Sequence, residues 1–403
     1  MDNGHKFRLR PVAAESDPNI FVGMMEQLRQ SAAIPVIHRA NKHLQPDSKN
    51  LICLLNGKAP AMPGPILDTL LGANLAQRPV WLMRQAGRYL PEYRALRAEK
   101  GGFLELVYDA QAAAEVTVQP IRRFGFDGAI LFSDILIVPH AMGQTLEFLA
   151  GEGPRLSPRL VDSSLGAFQG VPERLSRIYE TVALVRAQLG PQTTLLGFAG
   201  SPWTVATYMT AGEGSRDQHE TRALAYRDPA AFQAIIDAIV TVTVEYLAGQ
   251  ISAGAEAVQL FDSWSGSLAP REFERWVIAP TARIVTELAA LHPGVPVIGF
   301  PKGAGEKLPA YARETGVRAI GVDETIDPVW AARELPPGMP VQGNLDPLLL
   351  LAGGDALDQG ARAVLDAFAG RPHVFNLGHG IGQFTPIAHV ERLLQIVRDW
   401  RAR

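Results

Sequence analysis

The sequence predicts an α/β protein, a single closed (β/α)8 barrel of the TIM type preceded by an N-terminal extension. Three observations carry this expectation. From Pro79 onward, apolar runs too short for helices recur, several of them rich in β-branched residues. Longer amphipathic stretches separate them, the alternation that builds βαβ units on a parallel sheet. Eight such runs can be counted, the number that closes a barrel with its helices outside. An open doubly wound sheet has the same periodicity and is the competing architecture.

The strands are expected at Val80–Met83, Ala129–Phe132, Thr194–Phe198, Ala257–Phe261, Val295–Phe300, Ala319–Val322, Pro340–Gln342 and His373–Asn376. The amphipathic stretches between them include Pro172–Gln188, Pro229–Ser252 and Pro270–Leu291. Polar residues follow each strand: Arg84, Asp134, Gly200-Ser201, Asp262-Ser263, Lys302, Asp323, Asn344 and His379 in turn. In a barrel these positions converge on one face, where chemistry resides. Taken singly, each is an ordinary loop residue or helix cap.

Composition narrows the class of function. The chain has 403 residues, 47% of them apolar, with a net charge of −3. That balance fits a globular protein and argues against a broad nucleic-acid or membrane surface. A single cysteine, Cys53, excludes a disulfide framework and a multi-thiolate metal site. The N-terminus carries Lys6, Arg8 and Arg10, but Glu15, Ser16, Asp17 and Pro18 follow where a secretory signal needs apolar residues. A cytoplasmic location is therefore expected. Residues 1–61 lack sustained periodicity and are read as a dispensable extension, with Met62 as an alternative natural start. Residues 62–403 form the barrel.

Several constellations bear chemistry. Arg84-Gln-Ala-Gly-Arg88 leaves the first strand through two arginines flanking Gly87. Guanidiniums grip carboxylates in bidentate fashion, and glycine lets backbone approach a ligand. The alternative is a surface cluster paired with Glu92 and Glu99. Asp134 follows an apolar strand, either as a helix N-cap or as an anion awaiting N–H donors or a developing cation. Tyr208 lies one turn and a residue beyond Trp203, where most aromatics are core and a minority offer a hydroxyl to a pocket. Ser263 is a candidate ligand contact or a loop hydrogen-bonder. His379, bracketed by Gly378 and Gly380, reads as a ligand-facing cation or donor. Lys302-Gly-Ala-Gly305 hints at phosphate binding but lacks the Gly-Lys-Ser/Thr of a P-loop. No cofactor motif and no metal-ligand spacing is present.

These motifs together resemble the uroporphyrinogen decarboxylase family. Arg84-Gln-Ala-Gly-Arg88-Tyr-Leu-Pro-Glu-Tyr-Arg94, Ser133-Asp134-Ile-Leu, Pro202-Trp-Thr with Thr207-Tyr208-Met, Phe261-Asp-Ser263-Trp and Asn376-Leu-Gly-His379-Gly occur in the family's order. The resemblance runs from about Gly64 to the C-terminus. Only the loop Gly382–Pro386 departs, lacking a proline that often precedes its Thr-Pro pair. The resemblance implies a cofactor-free barrel enzyme, a homodimer, whose small-molecule substrate is uroporphyrinogen III. It converts four acetates to methyls, giving coproporphyrinogen III and CO2 in haem synthesis. It further implies substrate contacts at Arg84, Gln85, Ala86, Gly87, Arg88, Asp134, Tyr208, Ser263 and His379, with Asp134, Arg84 and Tyr208 taking part in catalysis. Two other readings are a non-catalytic porphyrinogen-binding homologue and a corrinoid-type methyltransferase relative. The latter needs zinc held by histidine and cysteines, and Cys53 alone supplies too few thiolates.

Overall fold

β-Branched and aromatic runs become strands close to where the pattern places them. The computed structural model describes residues 64–401 except 150–152, 164, 168, 169, 172 and 216, so the extension over 1–61 lies outside the described residues. The strands in chain order are β1 (Gly128–Ile130), β2 (Thr145–Leu149), β3 (Gly153–Ser157), β4 (Thr194–Gly200), β5 (Ala257–Asp262), β6 (Val297–Pro301), β7 (Ala319–Gly321), β8 (Val341–Leu345) and β9 (His373–Leu377). Seven of them form one parallel sheet in the order β1-β4-β5-β6-β7-β8-β9. β2 and β3 form a separate antiparallel hairpin inserted after β1.

The eighth stave is the segment around Val80. Phe375 N–H of β9 donates to Pro79 O at 2.8 Å, and Trp81 N–H donates back to Phe375 O at 3.3 Å. On the other side Asp127 N–H, just ahead of β1, donates to Val80 O at 3.0 Å. The two sheet edges are thus joined and the barrel closes, which removes the open-sheet alternative. The expected strand Val80–Met83 shrinks to a single parallel bridge, Val80 with Phe375. The cause is side-chain competition. Leu82 N–H donates to Gln85 Oε1 at 3.1 Å and Met83 N–H to Asn376 Oδ1 at 2.9 Å, leaving no donors for a ladder.

The interior is not wholly apolar. Trp81 Nε1 donates to Gln342 Oε1 at 3.0 Å, and Gln342 Nε2 donates to Gln259 Oε1 at 3.0 Å. These residues sit on the closing stave, β8 and β5, which are not neighbours, so the chain of bonds crosses the bore. All three are fully buried. Around it, Leu195, Val258, Leu260, Ile298, Ile320 and Val374 supply the packed core.

Helices flank the barrel where amphipathic stretches were expected. Glu173–Gln188 matches the first, whose expected start at Pro172 lies outside the described residues. Pro229–Ala253 begins with Asp228 capping the Ala231 N–H at 2.9 Å and ends at Gly254 with a φ of 125°. It is apolar on nearly every side because it is packed between neighbours rather than lying on the surface. Its Gln250 carboxamide satisfies both the N–H (2.9 Å) and the C=O (3.0 Å) of Phe198 in β4. The stretch Pro270–Leu291 is a continuous helical run with a π segment at Glu274–Ile278, just before Pro280, which has no N–H to give.

Asp127 latches the closure. Its Oδ2 accepts the Val80 N–H at 2.7 Å and pairs with Arg398 of the last helix at 2.9 Å. Burial pushes this carboxyl upward, and the Arg398 guanidinium opposes the push. Asp127→Ala leaves the Val80 N–H without an acceptor and should cost about 1–3 kcal/mol. Urea unfolding should show a lower midpoint at unchanged slope. An unmoved midpoint would show that closure does not depend on this carboxylate.

Candidate active site

The chain leaves the closing stave through two successive turns, with Gln85 N–H donating to Leu82 O and Leu90 N–H to Gly87 O, each at 3.0 Å. Arg84, the third residue of the first turn, has a φ of 61°, the left-handed region that few non-glycine residues adopt. The turns are held from beneath. Gln85 is fully buried and its Nε2 donates to Gly128 O at 2.9 Å, so its side chain serves backbone and does not line the basin described below. The His379 loop is stitched to the same turns, with Ile381 N–H donating to Met83 O at 2.9 Å. Arg94 Nη1 donates to Arg88 O at 2.7 Å, clamping the loop rather than facing a ligand.

A basin of about 980 Å³ opens at the C-terminal ends of the strands. Arg84, Ala86, Gly87, Arg88, Asp134, Tyr208, Ser263 and His379 all line it. Among the described residues neither Arg84 nor Arg88 has a carboxylate within ion-pairing distance. Glu92, the partner expected for a self-neutralised cluster, pairs with Arg123 at 2.7 Å instead. Arg97 adds a third guanidinium to the wall. Asp134 is the only acidic residue among the described residues that line the basin. Phe103, Phe132, Phe148, Phe198 and Phe261 supply an apolar wall.

Asp134 is not the N-cap of the helix that follows, which starts from Leu136, but its carboxylate bonds the backbone next to it. One oxygen accepts the Leu136 N–H at 2.8 Å, just before the short helix Ile137–Ala141. The other has no hydrogen-bond partner among the described residues. Burial pushes the carboxyl up to about 6, against the pull of the Leu136 N–H and the Arg84 charge. It is still mostly ionised at neutral pH. His379 moves the other way. Burial, with Arg84 and Lys302 nearby, pushes its imidazole down to about 4, while Asp323 opposes. Its imidazole is therefore neutral at pH 7. Burial raises the Tyr208 phenol, which stays protonated.

Two glycines give the arginine its place. A Cβ on Gly87 would lie 2.9 Å from Arg84 O. One on Gly380 would overlap Arg84 Cδ and lie 2.8 Å from its Cγ. The remaining post-strand residues are structural. Lys302 pairs with Glu324 at 3.1 Å, and Asp323 accepts the Gly303 N–H at 2.8 Å, which occupies the amide that a phosphate would use. Asn344 lies inside β8 and donates to Asp323 O and Ile326 O at 3.0 and 2.8 Å. Arg97, Phe103 and Phe148 were not anticipated, since they come from helices and the hairpin rather than from strand ends. Among the described residues no cluster of three His, Cys, Asp or Glu side chains could hold a metal ion.

A family model described as uroporphyrinogen decarboxylase (URO-D) matches residues 63–400. The chain is 78% identical over 339 residues to a uroporphyrinogen decarboxylase of Novosphingobium aromaticivorans, covering 84% of this chain and 99% of that protein. It is 72% identical over 340 residues to one from Erythrobacter litoralis, covering 84% of this chain and 100% of that protein. Among solved structures it is similar to a methyltransferase from Methanosarcina mazei, with a TM-score of 0.68, 17% identity, and coverage of 83% of this chain and 97% of that one. That likeness concerns the fold alone.

The opposed shifts of Asp134 and His379 can be measured directly. In an NMR titration of histidine-labelled protein, the His379 ring should stay neutral until the pH falls to about 4. A midpoint near the ordinary 6.5 would show that the imidazole is solvated, and its neutral role would fall.

Proposed function

The chain belongs to the uroporphyrinogen decarboxylase family, and we propose that the basin holding Arg84, Asp134 and His379 is where this enzyme of porphyrin biosynthesis decarboxylates uroporphyrinogen. One observation carries the assignment: among the described residues, a single carboxylate, Asp134, shares the basin with arginines that have no acid partners. The substrate has eight carboxylates on its rim and four pyrrole N–H groups inside. A faintly acidic protein must concentrate positive charge locally to bind it, and Arg84 and Arg88 do so. Each charge-assisted contact contributes about 1.5–3 kcal/mol. The free Asp134 oxygen accepts from the inner N–H groups.

Loss of CO2 without a cofactor needs an electron sink. A proton added to a pyrrole carbon makes the ring cationic, and the electron pair of the breaking C–C bond then flows into it as CO2 leaves. A second proton completes the methyl group and the ring carbon gives up the first, so the pyrrole is restored and one proton is consumed for each CO2 released. Asp134, ionised and already in place, stabilises the cation relative to the bound ground state. Arg84 organises proton delivery, because a guanidinium is a poor acid. Tyr208 and Ser263 hold rim carboxylates, and neutral His379 contributes an N–H. Gly87 and Ala86 allow close backbone approach. The aromatic wall receives the carbon framework. Four rounds give coproporphyrinogen III.

The reading extends to a cytoplasmic homodimer with a dispensable extension over residues 1–61.

Anaerobic incubation with uroporphyrinogen III, followed by counting carboxylates on the oxidised products, tests the reaction. Loss from eight to four supports it; tight binding of unchanged substrate would favour the non-catalytic homologue. Asp134→Ala should lower turnover by about 10²–10³-fold, and near-normal turnover would remove it from the mechanism. Because the ionised form acts, kcat/KM should fall as pH is lowered through about 6 in the parent. A flat profile between pH 5 and 7 would contradict that. Arg88→Lys should chiefly raise KM, since the fork is lost; collapsed kcat at unchanged KM would move it into the chemistry. Gly380→Ala should lower kcat/KM at nearly unchanged Tm, because its methyl displaces only the Arg84 side chain. Equal losses in both would show a packing role.

A further inference from the structure

Tyr208 and Ser263 reach the basin from different elements, the helix Pro202–Ala211 and the loop leaving β5. Behind them lies a hydrogen-bonded junction that does not line the basin. Thr204 Oγ1 donates to Asp262 Oδ1 at 2.6 Å and accepts the Trp264 N–H at 3.1 Å. Thr204 and Asp262 are both fully buried. Asp262 Oδ2 has no partner among the described residues, and burial pushes the carboxyl up to about 7. A fold selected for stability alone gains nothing from a buried carboxyl with one oxygen idle.

The junction grips Ser263 from both sides. Asp262 precedes it and is bonded to the helix through its side chain. Trp264 follows it and is bonded to the helix twice, by its N–H to Thr204 and by its C=O, which accepts Trp203 Nε1 at 3.2 Å. The Trp264 ring in turn rests against Tyr208, with centroids 6.3 Å apart at 60°. The far end of the loop is held separately, by Lys307 Nζ donating to Gly266 O at 3.0 Å and Leu268 O at 2.9 Å. We propose that the Thr204–Asp262 pair is a positioning element that fixes Tyr208 and Ser263 relative to one another, so that one residue of β5 and one of the helix set the geometry of two substrate contacts. The inference rests on the reading of Tyr208 and Ser263 as substrate contacts. Misplacing such groups by about 1 Å costs on the order of 10²-fold in rate.

Thr204→Val removes the hydroxyl at similar volume and should lower kcat/KM by about 10–100-fold, with Thr204→Ser restoring it to within about threefold. Combined with Tyr208→Phe, the loss should be smaller than the product of the single losses, since part of the Thr204 effect acts through the Tyr208 hydroxyl. Asp262→Asn keeps an acceptor for Thr204 and should retain activity within about threefold, which keeps the idea testable if the valine variant does not fold. A harmless Thr204→Val, a loss that serine does not restore, a multiplicative double mutant, or a tenfold loss in Asp262→Asn would each overturn the positioning role. If Tyr208→Phe alone has no effect, the underlying assignment of Tyr208 falls and the inference with it. A damaging Tyr208→Phe beside a harmless Thr204→Val overturns the inference only.

Discussion

The basin depends on a few backbone hydrogen bonds that seat Pro79–Trp81 between β9 and the residue ahead of β1. Without them the sheet is an open ribbon, and the arginine turns and the histidine loop are unrelated ends of a long chain. With them, Met83 N–H meets the side chain of Asn376, 293 residues away in sequence. The basin is thus assembled by closure. Asp127 shows what closure demands, since its carboxylate is kept buried at an unfavourable position in order to cap the Val80 N–H.

Electrostatics then sorts the basin's charges. Burial acts on Asp134 and His379 with opposite consequences for acid and base. It lifts Asp134 toward neutrality and empties His379 of charge, so the permanent positive charge rests on guanidiniums, which do not deprotonate. The polarity of the site is therefore set by residue type as much as by geometry. A lysine or second histidine in the place of Arg84 would be open to the same desolvation that neutralises His379.

Much of this architecture is legible in the chain. The barrel strands stand near their expected positions because short β-branched runs end at polar or glycine residues, and a one-face convergence follows from the topology. The alternatives at Asp134 are undecidable from sequence, because a carboxylate that holds a nearby backbone N–H with one oxygen can still present the other to the basin. What was not legible involves side chains that replace backbone partners. Gln85 carries the arginine signature's second position yet is consumed in supporting its turn. The same competition reduced the first strand to one bridge. The hairpin Thr145–Ser157 was also missed, although Thr145-Leu-Glu-Phe alternates with period two, and Leu146 is buried while Glu147 is exposed. Arg97 and Phe148 reach the basin through helix and hairpin geometry, which no strand-end rule anticipates.

The φ of 61° at Arg84 has a consequence for how this protein responds to selection. A non-glycine residue held in the left-handed region costs of order 1–3 kcal/mol where its surroundings impose it. Glycine or asparagine would occupy the same turn with less strain. A library ranked by heat tolerance should therefore enrich those residues at position 84 and discard the arginine, while a library ranked by product formation keeps it. The two screens would diverge most sharply at the residue that the fold finds least comfortable, so thermostabilised forms of this chain are best sought with position 84 held fixed.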